Sequence, residues 1–192
     1  MRHKASFAVI NNLCLTLMLC MMARMSAVQN QIHPPKSILN PEEFRHFFIQ
    51  FAHDEKSMLG EDDPFPWAWF EQNVPLLDVP DKEIEETYYF RWYAFQKHIK
   101  LTPDGYVIDE FLDNVPWAGK FNTISAAAGH HIRESRWLRD PKFAIDYANF
   151  WFGPDGEPRR YSFAAADAVY QLYLATGNKQ FAIALLDRKS VV

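Results

Sequence analysis

Phe44, Phe47, Phe48 and Phe51 recur at the i, i+3, i+4, i+7 spacing of one helical face. Four rings at that spacing make an apolar stripe that a helix must bury against another element. The pattern returns in Tyr88, Trp92, Phe95 and Ile99, and again in Phe143, Tyr147, Phe150 and Trp151. A chain with three such stripes is constrained to pack helix on helix. With 16 Phe, 6 Trp and 8 Tyr, it also has aromatic side chains to spare for a binding cleft.

Local signals mark where the helices begin and end. Asn40-Pro41-Glu42-Glu43 reads as a helix start: a capping side chain, a proline in the first turn, then acids at the positive end. Residues 60–80 hold glycine and proline breaks among aromatics and read as one long irregular segment. Asp81 caps a second helix, with Glu83, Glu85 and Glu86 near its start, and Pro103-Asp104-Gly105 makes a turn. Tyr106 to Leu112 alternates weakly, as a short strand or an extended loop. A third helix is predicted from about Asn122 to Leu138. Its small centre, Ser125-Ala126-Ala127-Ala128-Gly129, requires a close neighbour. Asp140-Pro141 opens a fourth helix and Gly153-Pro154-Asp155-Gly156 turns the chain. Ser162 caps a fifth through about Ala175, Thr176-Gly177-Asn178 ends it, and a sixth starts at Lys179. Short connections make successive helices antiparallel neighbours. The expected class is all-α, built of helical hairpins, with room for one short strand.

Residues 1–27 have a secretory signal peptide's outline: Arg2, His3 and Lys4, an apolar run from Leu13 to Ala23, then Ser26 and Ala27. The run is shorter than the roughly 20 residues of a membrane span, so no stable span is expected after cleavage. Both cysteines, Cys14 and Cys20, leave with the leader, so the mature chain has neither disulfide nor thiol chemistry. The implied division is 1–27 signal peptide, 28–38 linker and 39–192 helical domain, exported to the periplasm or beyond. A net charge of −4 for the whole chain gives no electrostatic footprint for nucleic acid.

Five segments bear chemistry. Trp67-Ala68-Trp69-Phe70 either offers rings to a sugar's C–H faces or wedges the 60–80 segment onto the core. Arg91 lies in an aromatic run, where a charge needs water, a carboxylate or a ligand hydroxyl. Trp117-Ala118-Gly119, followed by Asn122 and Thr123, places an aromatic, a close-approach glycine and polar side chains ahead of a helix. In Gly129-His130-His131-Ile132-Arg133-Glu134, His131 and Glu134 share the i, i+3 spacing of some bundle metal ligands. No H-E-x-x-H or third ligand accompanies them, so no metal or other cofactor is assigned. Either His130 or His131 could instead donate to a sugar hydroxyl. Arg159 and Arg160 either bind a carboxylate or form a solvated turn. No G-x-S-x-G, phosphate loop or dinucleotide fingerprint is present.

The stretches ETYYFRWYAFQKHIK, DNVPWAGKFNTISAAAGHHIRESRWLRDP and EPRRYSFAAADAVYQLYLATGN resemble the N-terminal part of a six-hairpin glycosidase. The nearest groups are the trehalase-like and mannosylglycerate-hydrolase-like glycoside hydrolases, which include family 63, and their secreted bacterial relatives. The resemblance, over about residues 65–180, implies an (α/α)6 toroid and inverting hydrolysis by two carboxyl groups. Relatives line the sugar site with a Trp-Asp-Thr stretch; here Trp117-Ala118-Gly119 up to Thr123 stands in that place without the Asp. The catalytic acid and base are implied to lie in later segments, so catalytic residues stay unassigned, with Glu110 and Glu134 as acids in good context. About six helices fit between Asn40 and Val192, roughly half a toroid, which makes a fragment lacking its C-terminal half the expectation. The expected partner is a carbohydrate, met by Arg91, Trp92, Trp117, Asn122 and His130. A non-catalytic carbohydrate-binding helical module is the alternative. A helical metal-dependent enzyme using His130, His131 and Glu134 is a third reading.

Overall fold

The structure is a computed structural model that describes residues 38–59, 67–154, 156 and 164–190. The leader, nearly all of the predicted linker, Arg159, Arg160 and Ser162 lie outside the described residues. Leu39–Val192 forms one compact unit. Among the described residues the fold is all-α, as expected: seven α-helices and a single two-stranded sheet.

A 3-10 turn at Pro41–Phe44 leads into α1 (Arg45–Leu59). The Asn40 carboxamide accepts from the Glu42 N–H at 3.3 Å, as a cap should. All four rings of the first stripe are buried. Helix α2 (Trp67–Asn73) corrects the expectation of one irregular segment over 60–80. It stops where Pro75 disfavours a helical Val74. Phe70 is wholly buried and stacks on Trp67, whose indole N–H donates to Glu42 at 2.9 Å. The Trp67–Phe70 segment therefore packs on the core.

Helix α3 (Lys82–Lys97) is capped by Asp81, which accepts from the N–H groups of Glu83 and Ile84 at 3.0 and 3.3 Å. Its buried face is Glu85, Tyr89, Trp92 and Tyr93, turned slightly from the predicted stripe. Ile99, predicted on that helix, belongs instead to β1 (Ile99–Thr102), which pairs antiparallel with β2 (Gly105–Ile108). The hairpin closes through Pro103-Asp104, with Gly105 at φ +101 against Asp146. A Cβ at Gly105 would stand 2.8 Å from the Asp146 carboxyl carbon, so only glycine fits.

Helix α4 (Ser125–Ser135) is shorter than predicted. Phe121 and Asn122 have left-handed backbones, φ 57 and 60, which end any helix there. The small centre of α4 packs against α5 (Lys142–Phe152) and α6 (Ala165–Thr176), as its composition requires. Helix α6 starts at Ala165, later than the predicted Ser162 cap, and ends at left-handed Gly177. Two residues then lead to α7 (Lys179–Ser190), where Asn178 accepts from the Phe181 N–H at 3.0 Å. Helices α6 and α7 pack together as a hairpin.

Two apolar cores result. One gathers Phe44, Phe48, Phe70, Tyr89 and Trp92 from the N-terminal elements with Phe143 of α5. The other gathers Ile108, Ile132, Tyr147, Trp151 and Leu172 from the later elements. Phe95 and Ile99 pack against both.

Candidate functional site

Helix α3 borders three neighbouring hollows that share lining residues. The first, about 470 Å³, is walled by Pro75, Tyr88, Trp92 and Trp137. The second, about 340 Å³, is walled by Phe90, Phe95, His98, Glu110 and His131. Arg91 and Glu134 stand between these two and line both. Phe90, Ala94 and His98 connect the second to an apolar hollow of about 330 Å³ beside Phe51, Tyr93 and Leu112. Together they make a trough along α3, with half-exposed rings of Trp137 and Phe90 and polar groups between.

Arg91 projects from α3 to Glu134 of α4, Nη2 to Oε1 2.9 Å. The pair is partly solvent-exposed, so its main effect is to orient both side chains. Deeper in, His131 Nε2 stands 3.4 Å from Glu110 Oε2, and Nδ1 stands 3.3 Å from the Tyr147 hydroxyl. A carboxylate can only accept and a tyrosine hydroxyl can donate, so these neighbours favour the tautomer with the proton on Nε2 and Nδ1 accepting from the tyrosine. Burial, with His98 and His130 nearby, lowers the His131 pKa to about 4, so the ring is neutral at pH 7. Burial also raises the pKa of Tyr147, which keeps its proton to donate. His98 meets Asp109, Nδ1 to Oδ1 3.0 Å, while the Asp109 N–H donates to the His98 carbonyl at 2.9 Å.

The loop behind Glu110 is held by Asn122. Its Nδ2 donates to the carbonyls of Phe111 and Asp113 at 2.6 and 2.9 Å, and its Oδ1 accepts from the Val115 N–H at 3.0 Å. Its own carbonyl accepts from the Glu110 N–H at 3.3 Å. Asn122 thus acts through the backbone that presents Glu110. Gly119 makes its close approach to Thr123 within the same loop, where a Cβ would lie 3.0 Å from the Thr123 carbonyl oxygen.

Of the residues singled out in the sequence, Arg91 and Trp92 line the trough, as do Glu110 and Glu134. Trp92 is mostly core, packed edge-on against Tyr88 and Phe95. Trp117 is 57% exposed and meets Phe111 edge-on at 4.7 Å, and His130 is exposed on α4; neither lines the trough. Sequence reasoning missed Phe90 and His98, which tertiary packing alone brings to Glu110. Trp137, at the end of the quoted GHHIRESRW stretch, was within reach. Among the described residues no three His, Cys, Asp or Glu side chains converge as a metal site would. No helix among them is long and apolar enough to cross a membrane.

Residues 120–189 match the family model of the mannosylglycerate hydrolase MGH1-like glycoside hydrolase domain. That segment runs from the turn before α4 to the end of α7, and supplies His131, Glu134 and Trp137 to the trough. No curated protein sequence matches the chain. A solved structure of a protein named "Sialidase" is similar, with 39% sequence identity and a TM-score of 0.62. The alignment covers 75% of this chain and 15% of the sialidase chain, so this chain spans a small part of that protein's length. The family-model match over residues 120–189 and the likeness to the sialidase structure fit a six-hairpin glycosidase-like fragment, as the sequence resemblance implied.

Proposed function

We propose that this chain forms one wall of a glycoside hydrolase's sugar site, and that the trough along α3 is that wall. The observation that carries the reading is the trough's composition. Rings of Tyr88, Trp92 and Trp137 stand at one end, the Arg91–Glu134 pair in the middle and Glu110 beyond it. Sugars present C–H faces to rings and hydroxyls to charged groups, and this arrangement suits both. The match over residues 120–189 supports a glycosidase in particular.

In the whole enzyme the reaction is inverting hydrolysis by two carboxyl groups, with about 6.5–9.5 Å between them for the attacking water. The acid and base come from segments beyond this chain, and this chain's residues bind and orient the sugar. Trp117 and His130 approach the sugar from outside the trough. Export by the residue 1–27 leader belongs to the same proposal.

Titration of the chain with neutral and acidic oligosaccharides, followed by tryptophan fluorescence, tests it. Saturable quenching that Trp137→Ala weakens about tenfold is expected, as for loss of a stacking ring. Equal quenching in the variant contradicts a sugar at the trough. Binding without turnover by the whole protein supports the non-catalytic carbohydrate module instead.

A further inference from the structure

We propose that the middle of the trough is a subsite for a neutral, hydroxyl-bearing sugar ring, and that it discriminates against carboxylated sugars. The inference rests on the trough being the sugar site and adds the class of sugar. Glu110 and Glu134 both line the 340 Å³ hollow, and Arg91 is the one Lys or Arg among its lining residues. That guanidinium already meets Glu134 at 2.9 Å. A sugar carboxylate is bound best by a guanidinium fork left free for it. Here it would face two glutamates and an arginine already engaged by one of them.

A hydroxyl meets the opposite situation. It can donate to Glu110 or Glu134 and accept from the N–H groups that Arg91 does not spend on Glu134. Glu110 is fixed for that role. His131 reaches it at 3.4 Å, Tyr147 backs His131 at 3.3 Å, and the Asn122 carbonyl holds the Glu110 backbone. The volume is near the lower end of the roughly 300–1,000 Å³ typical of small-molecule sites, which suits a single ring.

The experiment is saturation-transfer NMR at pH 7 on the full chain. The probes are methyl α-glucoside, methyl α-mannoside and methyl β-galactoside against sodium glucuronate and N-acetylneuraminate. Saturation of at least one neutral glycoside is expected, with every carboxylated sugar weaker by about tenfold. Glu110→Gln should weaken the neutral signal several-fold, and Glu134→Gln, which frees Arg91, should raise the carboxylated signal. Carboxylated sugars binding the wild type as well as neutral ones overturn the inference while the sugar site stands. Saturation of no sugar overturns both. If Glu110→Gln loses its near-ultraviolet dichroism and does not fold, the Glu134→Gln comparison decides.

Discussion

Asn122 carries a backbone at φ 60, three side-chain hydrogen bonds to the 111–115 loop and the carbonyl that holds Glu110. Asparagine tolerates the left-handed region better than most residues, and its amide can satisfy both donors and acceptors of a loop. Asn122→Ala should lower stability by about 2–3 kcal/mol, read by urea denaturation. Asn122→Gly should recover only the backbone part. His131 gives a pH signature. Below pH 6.5 the unfolded chain binds a proton there that the folded chain refuses until about pH 4. Stability therefore falls as pH drops from 6.5 to 4, by up to roughly 3 kcal/mol from this group, and is unaffected by it above 6.5. A His131→Gln variant should show a shallower acid limb in thermal denaturation from pH 7 to 4. A wild-type limb as shallow as the variant's contradicts a buried neutral imidazole. The sequence flagged Asn122 as a polar side chain ahead of a helix and His131 for its i, i+3 spacing with Glu134. It did not reveal that Asn122 works through a loop, since its partners are backbone carbonyls and an N–H that no side-chain pattern encodes.

At the scale of elements, the segment from Val74 to Pro80 is fixed by two tyrosines of α3. Tyr88 donates to the Pro75 carbonyl at 2.7 Å. The Tyr89 hydroxyl donates to the Leu77 carbonyl at 2.8 Å and accepts from the Leu77 N–H at 2.9 Å. Tyr89→Phe keeps the ring in the core but strands both Leu77 groups, a loss of about 1–3 kcal/mol. The expected readout is faster amide exchange and protease cleavage at 74–80 than elsewhere; uniform destabilisation contradicts the pinning role. Gly105→Ala should cost more than an ordinary turn substitution, about 2 kcal/mol or above, because it meets both a positive φ and the Asp146 carboxyl. Elements marked by strong local chemistry were legible: Asn40 and Asp81 as caps, Gly177 as a stop, and the phenylalanine and α5 stripes. Helix α2 was not, because seven residues between prolines carry too little periodicity. Strand β1 was hidden because Ile99 continues the spacing of α3, and only pairing with Ile108 makes it a strand.

Across the whole molecule, the trough lies where the two cores meet. Phe95 packs against both cores and also lines the hollow with Glu110 and His131. Arg91 and Trp92 of the expected sugar-facing set line the trough, but from α4 it is His131, not the expected His130, that lines it. The helical class was legible because aromatic stripes at 3.6-residue spacing admit little else. The trough was not, because it is made by α3, α4 and the strand that leads to Glu110, whose mutual placement depends on tertiary packing. Sugar binding there is the proposal on which the functional reading stands. Its most direct test is two-dimensional ¹⁵N NMR of the chain titrated with a neutral oligosaccharide. Shifts of the Trp137 indole and of the Arg91, Glu110 and Glu134 amides are expected. Shifts confined to the Phe111–Trp117 loop, or none at saturating sugar, would contradict it.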